Sequence, residues 1–451
     1  METVVPAQFL GQYPPALAEA RSFRHPSLQK FKLSNGFKAV LSECHTVPLI
    51  HLHCLVPAGA QYDPIGLEGL ASMTMRLLTA GTAKRNARQI TEETEALGAD
   101  ILTRVDWHTG SLVIELLAED MEYGVDLLAD LLSSPVFPEQ AVENARKRRM
   151  AILEQTRQAS DLANERFARM IYGDGIYGRS LNGSKTGMCH IERENLIAFH
   201  SAHFGMNETI WIGVGSFSSA KLARNLESIT SKIQPQRALN PPEIRPLALP
   251  RSRVCLVGYP NAALTEIRIG HAGIPQSHPD FVPFQLLTSI LGRRLRLSLR
   301  EQRGLTYSVR SRLITRRGPG AFVTAAAVGN DHVCEAVSEI VGEIKRLQEG
   351  PISEAEITIA QNHRRGIFQR SFQSGHEVAA QLKQVVANDL PDDYFERYLE
   401  QICSTDRERL IEAARGYIRP DQLAIVAVGP IAELRRHCKQ FEEAFQVTLE
   451  D

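Results

Sequence analysis

The chain is short of the features that mark several large classes of protein. Its 51 lysines and arginines against 52 aspartates and glutamates leave a net charge of −1. That removes the electrostatic case for nucleic acid or an anionic membrane surface as partner. Seven cysteines are scattered without a Cys-x-x-Cys, which favours free thiols in a reducing, cytoplasmic setting over a disulfide framework. No stretch approaches 18 uninterrupted apolar residues, so no membrane-spanning helix is expected. The opening Met-Glu-Thr-Val-Val-Pro has no basic region leading into an apolar one, and no arginine precedes Arg21, so neither a secretory signal nor a transit peptide is expected. There is no Gly-x-Ser-x-Gly elbow, no P-loop and no Gly-x-Gly-x-x-Gly, which leaves hydrolase-fold, nucleotide and dinucleotide functions without support.

What is present is a chain of 451 residues with an ordinary globular composition, 43% apolar and 23% charged, long enough for several sizeable cores. A proline-rich run at 234–250 cannot lie inside helices or central strands and is expected to be an interdomain linker. The halves on either side, 1–233 and 251–451, follow one order. Each opens on two alternating strands, 37–41 and 49–56 in the first, 254–259 and 266–271 in the second. Each continues with an apolar-periodic helix near 67–80 or 280–302, then a strand near 111–117 or 321–328. Long amphipathic helices follow, for example 138–158 and 332–349, and a strand near 210–215 or 423–429 ends each half. The expected fold is α+β, two homologous domains, each a mostly antiparallel sheet packed with helices. The basic clusters 146–149 and 293–296 are expected to be solvated helix faces.

Two segments carry the functional signal. The first is Gly69-Leu70-Ala71-Ser72-Met73-Thr74-Met75-Arg76, closed by Gly81-Thr82. The second, residues 299–309, runs Leu-Arg-Glu-Gln-Arg-Gly-Leu-Thr-Tyr-Ser-Val and sets Arg300 and Tyr307 seven residues apart across a glycine turn. Together they resemble the two signature regions of the pitrilysin (insulinase-like) zinc peptidases. Further matches are Leu97-Gly98-Ala99 and Tyr177-Gly178-Arg179, so the resemblance runs over nearly the whole chain. In that family the first segment holds H-x-x-E-H, two histidines one helical turn apart with a glutamate base beside them. Ser72, Met75 and Arg76 stand at those three positions here. Serine and methionine do not replace imidazole on Zn²⁺ in this setting, and arginine is an obligate cation. Glu154 matches the family's third ligand, but one carboxylate does not hold zinc.

The resemblance therefore implies a chain with no metal of its own: the zinc-less subunit of a two-subunit bacterial peptidase, half of a clamshell. The non-zinc subunit of mitochondrial processing peptidase is similar. The partner would carry H-x-x-E-H and the zinc. This chain would supply Arg300 and Tyr307 as catalytic and substrate-binding residues. The alternative is a non-catalytic scaffold, as similar domains are in the respiratory cytochrome bc complex. Arg303 is the competing arginine, four residues before the tyrosine. A fixed cation replacing the metal suggests an Arg76–Glu154 pair joining two helices. His200 and His203 sit at i, i+3 without a third ligand, and His51 and His53 share a strand face; all four are expected to pack or bond locally.

Overall fold

Residues alternating between apolar and polar become strands, and the two halves build the same sheet. In the first half these are β1 (Gln29–Lys32), β2 (Lys38–Glu43), β3 (Leu49–Val56), β4 (Asp100–Val105), β5 (Gly110–Leu117) and β6 (Ile210–Gly215). In the second they are β7 (Arg253–Gly258), β8 (Thr265–Ala272), β9 (Thr306–Ile314), β10 (Ala321–Val328), β11 (Ala424–Gly429) and β12 (Gln446–Glu450). The computed structural model describes residues 26–155, 158–205, 208–230, 241–437 and 446–450.

The sheet orders are β1-β2-β6-β3-β5-β4 and β12-β7-β11-β8-β10-β9. Five strands correspond one to one, with the same directions: β2 pairs parallel with β6 as β7 does with β11, and the remaining pairs of the five are antiparallel. The sixth strand differs. β1 returns antiparallel along β2, whereas β12 lies parallel to β7. Central β6 and β11 are almost wholly apolar, Ile-Trp-Ile-Gly-Val-Gly and Ala-Ile-Val-Ala-Val-Gly, because both of their faces are covered. The fold is the expected α+β pair of homologous domains.

The halves are not simply strung together. Helix Ala159–Tyr172 of the first half lies on β8 and β11 of the second, and helix Gly375–Ala387 of the second lies on β3 and β6 of the first. Ala163, Phe167 and Ile171 thereby join a core with Val257, Val426 and Val428. Val378, Ala379 and Leu382 join one with Leu55, Ile212 and Val214. Each large apolar side chain so buried contributes about 1.5–3 kcal/mol, so the exchange binds the halves tightly. Arg316, in the turn between β9 and β10, reinforces it: its guanidinium sits 4.1 Å from the centre of the Tyr177 ring, with Trp107 and Tyr172 alongside. Residues 241–250 of the proline-rich run form no helix or strand; residues 234–240 lie outside the described residues. Among the described residues no helix is long and apolar enough to cross a membrane.

Candidate functional site

The signature frame of the first half is held by backbone chemistry. Gly69, at φ +101°, precedes helix Leu70–Leu77. A side chain there would strike Met188 and the Gly183 backbone. The buried Asp63 carboxylate accepts from the Gly69 and Ala71 amides, 2.7 Å each, satisfying donors that a helix start leaves free. Arg179 of the Tyr-Gly-Arg segment donates to the Asp63 carbonyl at 3.4 Å. Beyond the helix, Gly81 takes φ +144° and Thr82 donates to the Asp130 carboxylate at 2.7 Å. Arg85 binds Asp130, Asp126 and Glu93, with the Asp130 side chain only 1% exposed. Arg85→Ala would leave that buried carboxylate with only the Thr82 hydroxyl and a loose 3.8 Å contact to Lys84, so a loss of up to about 3–5 kcal/mol is expected. Denaturant unfolding measures it.

Ser72, Met75 and Arg76 occupy the three positions that would carry the frame's chemistry. Met75 is fully buried, Ser72 half-buried and Arg76 exposed. They line a cavity of about 100 Å³ between the helix, β4 and helix Glu139–Glu154. Arg104, Arg148 and Arg149 complete a wall of four guanidiniums, and among the described residues no carboxylate lines the cavity. Such a donor set does not fit Zn²⁺, which needs anionic or neutral lone pairs. The expected Arg76–Glu154 pair is not formed. Glu154 is the exposed last residue of its helix, away from the cavity, and among the described residues no ion pair joins the two. Arg76 instead shares the cavity with half-buried Arg149, whose pKa burial and the Arg76 charge both lower. Arg149 is held by the carbonyl and side-chain oxygens of Asn182 at 3.0 and 2.6 Å. The cluster 146–149 is thus only partly the solvated face expected: Arg146 and Lys147 pair with Glu143, while Arg148 and Arg149 turn to the cavity.

Arg300 and Tyr307 are brought together. Arg300 rides on a π-helical turn, Arg296–Gln302, and Tyr307 stands at the start of edge strand β9. Between them Gly304 takes φ +64°, and the Leu305 amide closes on the Leu299 carbonyl at 2.8 Å. Buried Leu299 and Leu305 anchor the turn from below. In the ladder, Val328 pairs with Thr306 and Ala327 with Ser308, so Tyr307 is the extra residue of a β-bulge. Bulges re-aim side chains beside functional sites. The Tyr307 ring is 85% exposed, and the Arg300 guanidinium lies 5.1 Å from its centre. The other charged contact of Arg300 is a loose one, 3.6 Å to Glu301. Arg303 points the other way and clasps Glu335 and Glu339 at 3.1 Å, a helix anchor.

The histidine pair at 200 and 203 bonds locally: His200 to the Leu132 carbonyl at 2.8 Å, His203 to that of Pro57 at 3.2 Å. His51 meets the Glu115 carboxylate at 3.0 Å. His53 is buried with neither ring nitrogen partnered, and burial first, then Lys383, His376 and His51, lower its pKa to about 3.

The family described as Insulinase (Peptidase family M16) matches residues 38–185, and the one described as Peptidase M16 inactive domain matches residues 190–363. An uncharacterized zinc protease of Rickettsia felis is 23% identical over 345 residues, 74% of this chain and 81% of that protein. The mitochondrial-processing peptidase subunit beta of Saccharomyces cerevisiae is 21% identical over 434 residues, 90% of this chain and 91% of that one. Among solved structures, a peptidase M16 inactive domain from Pseudomonas fluorescens superposes with a TM-score of 0.82 at 23% identity, over 90% of this chain and 98% of its own. A protease from Helicobacter pylori superposes with the same score at 19% identity, over 90% of this chain and all of its own.

Proposed function

The chain belongs to the insulinase (M16) peptidase family, and from that premise we propose that it is the zinc-less subunit of a two-subunit zinc endopeptidase. Arg300 and Tyr307 act on a peptide held at the zinc of a partner that carries H-x-x-E-H, the two subunits closing like a clamshell. The observation that carries this reading is the bulge that turns Tyr307 outward beneath the Arg300 guanidinium. A phenol and a guanidinium side by side offer convergent donors to a substrate carbonyl and to the oxyanion it becomes. The partner's metal supplies the activated water. The cavity of four arginines supports the complementary half of the reading, that no zinc works at this chain's own motif. Cys44, Cys54, Cys189 and Cys403 stand as thiols outside any disulfide, which supports the cytoplasmic placement.

A scaffold role without catalysis is favoured by one finding, the likeness of residues 190–363 to an inactive domain. Reconstitution separates the two. The chain alone is expected to cleave no unstructured peptide. Mixed with an H-x-x-E-H subunit from the same source, it is expected to form a stable heterodimer whose cleavage is lost on chelation. Chelator-sensitive cleavage by the chain alone would overturn the proposal. So would a partner that works equally well without it.

A further inference from the structure

We propose that His51, Glu115 and His376 form a divalent-metal site, of the kind that takes Zn²⁺, tying the first sheet to a helix of the second half. The site lies outside the arginine-lined cavity and departs from the expectation of a chain without its own metal. It goes beyond the peptidase reading and does not depend on it.

Three elements converge there. His51 on β3 and Glu115 on β5 are direct partners in the ladder, so their side chains share one face of the sheet. His376 is the second residue of helix Gly375–Ala387, whose start is fixed by a capping box between Ser374 and Glu377. Gly375 lets that helix start settle on the His51 ring. A Cβ at 375 would stand 2.8 Å from His51 Nε2 and 2.7 Å from Cδ2. The Glu115 carboxylate is 3.0 Å from His51 Nδ1 and 3.9 Å from His376 Nδ1, and one donor atom from each residue falls within 4.8 Å of the others.

These distances suit a metal better than a closed hydrogen-bond network. At 3.9 Å the His376–Glu115 contact is not a hydrogen bond. Zinc bonds of about 2.0–2.2 Å in a tetrahedron place neighbouring ligand atoms about 3.3 Å apart. A modest rotamer adjustment by exposed His376 brings the set to that spacing. Among the described residues no lysine or arginine pairs with Glu115, so its carboxylate is not already neutralised. Lys383, on the same helix as His376, is turned to Ser111 at 3.0 Å. Two imidazoles and one carboxylate match Zn²⁺ rather than Ca²⁺ or Mg²⁺, which take oxygen ligands. A fourth position stays open to water.

The ligands come from both halves, so a bound ion would pin helix Gly375–Ala387 to β3 and β5 and fix the angle between domains. The test uses the full-length chain, stripped by chelator and titrated with Zn²⁺ alone, followed by elemental analysis and thermal unfolding. One zinc per chain and a rise of several degrees in Tm are expected. His376→Ala and Glu115→Gln should each weaken binding at least tenfold and abolish the rise. Their metal-free Tm should stay at the wild-type value, because both side chains are exposed. Ser72→Ala/Arg76→Ala should bind zinc as the wild type does, which separates this site from the motif cavity. Lack of saturable binding by the wild type at micromolar free zinc, or unchanged affinity in the His376 and Glu115 variants, would overturn the proposal.

Discussion

Tyr307→Phe is expected to lower kcat of the reconstituted complex by about 10²–10³, the usual cost of one lost oxyanion donor. The lower end is expected, because the Arg300 guanidinium beside the ring can carry part of the developing charge. Arg300→Ala should raise KM as well as lower kcat, since a charged, multidentate contact leaves both the bound peptide and the transition state. Neither change should cost more than about 0.5 kcal/mol of stability. The ring is 85% exposed and the turn is anchored by Leu299 and Leu305, not by the pair itself. Arg303→Ala is the control. It breaks the links to Glu335 and Glu339, and such part-exposed pairs are worth about 0–1 kcal/mol. Its cleavage rate should therefore stay near wild type. Equal rates for Tyr307→Phe, Arg300→Ala and the unaltered complex would make the pair structural and the scaffold reading the better one.

Much of the fold was legible because two halves repeat one order of elements. Strands expected at 49–56, 111–117 and 210–215 are β3, β5 and β6, and those expected at 254–259, 321–328 and 423–429 are β7, β10 and β11. Apolar alternation finds such strands wherever one or both faces are covered. The exchanged helices were not legible. The stripe of Ala163, Phe167 and Ile171 demands an apolar surface, but periodicity does not say whose. Nor does it reveal β1 and β12, which close matching sheets in opposite senses.

The site was legible where backbone needs fix residue types. Gly69, Gly81 and Thr82 stand in the motif frame because a positive φ and a buried carboxylate require them. Within the family frame its spacing to Tyr307 marks Arg300, not Arg303, as the expected site residue. The bulge that presents the tyrosine needed the register of β9 on β10. The Arg76–Glu154 pair does not form because guanidiniums fill the space between the helices and Glu154 sits at the exposed end of its own helix. His51 and Glu115 lie 64 positions apart in sequence, and only the pairing of β3 with β5 sets them together.

Acid should destabilise the protein as soon as the pH falls below about 6.5. Burial holds four imidazoles far below their ordinary value: His53 at about 3, and His108, His203 and His271 at about 4. Their contacts suit the neutral ring. His271 Nδ1 donates to the Ala272 carbonyl while Nε2 accepts the Arg419 amide, and His108 is clasped by Gln61 and Tyr177. Below about pH 6.5 the unfolded chain binds protons at these positions and the folded chain does not. Stability is therefore full above that pH and falls as pH drops toward 4. At about 1.4 kcal/mol per pKa unit, each histidine accounts for roughly 3–5 kcal/mol, about 15 for the four once all are protonated in the unfolded chain. A domain's whole stability is about 5–15 kcal/mol. Asp63 acts in the opposite direction. Burial raises its carboxyl to about 6 despite the Gly69 and Ala71 amides, so its protonation favours the fold on acidification. One carboxyl offsets only about 3 kcal/mol, and the histidines win. The denaturant midpoint should drop steeply between pH 6.5 and 4.5. His53→Leu, which removes an imidazole that has no partner, should flatten that slope by up to about 1.4 kcal/mol per pH unit. A midpoint that stays constant across the range would mean that these rings are protonated, and solvated, in the folded protein.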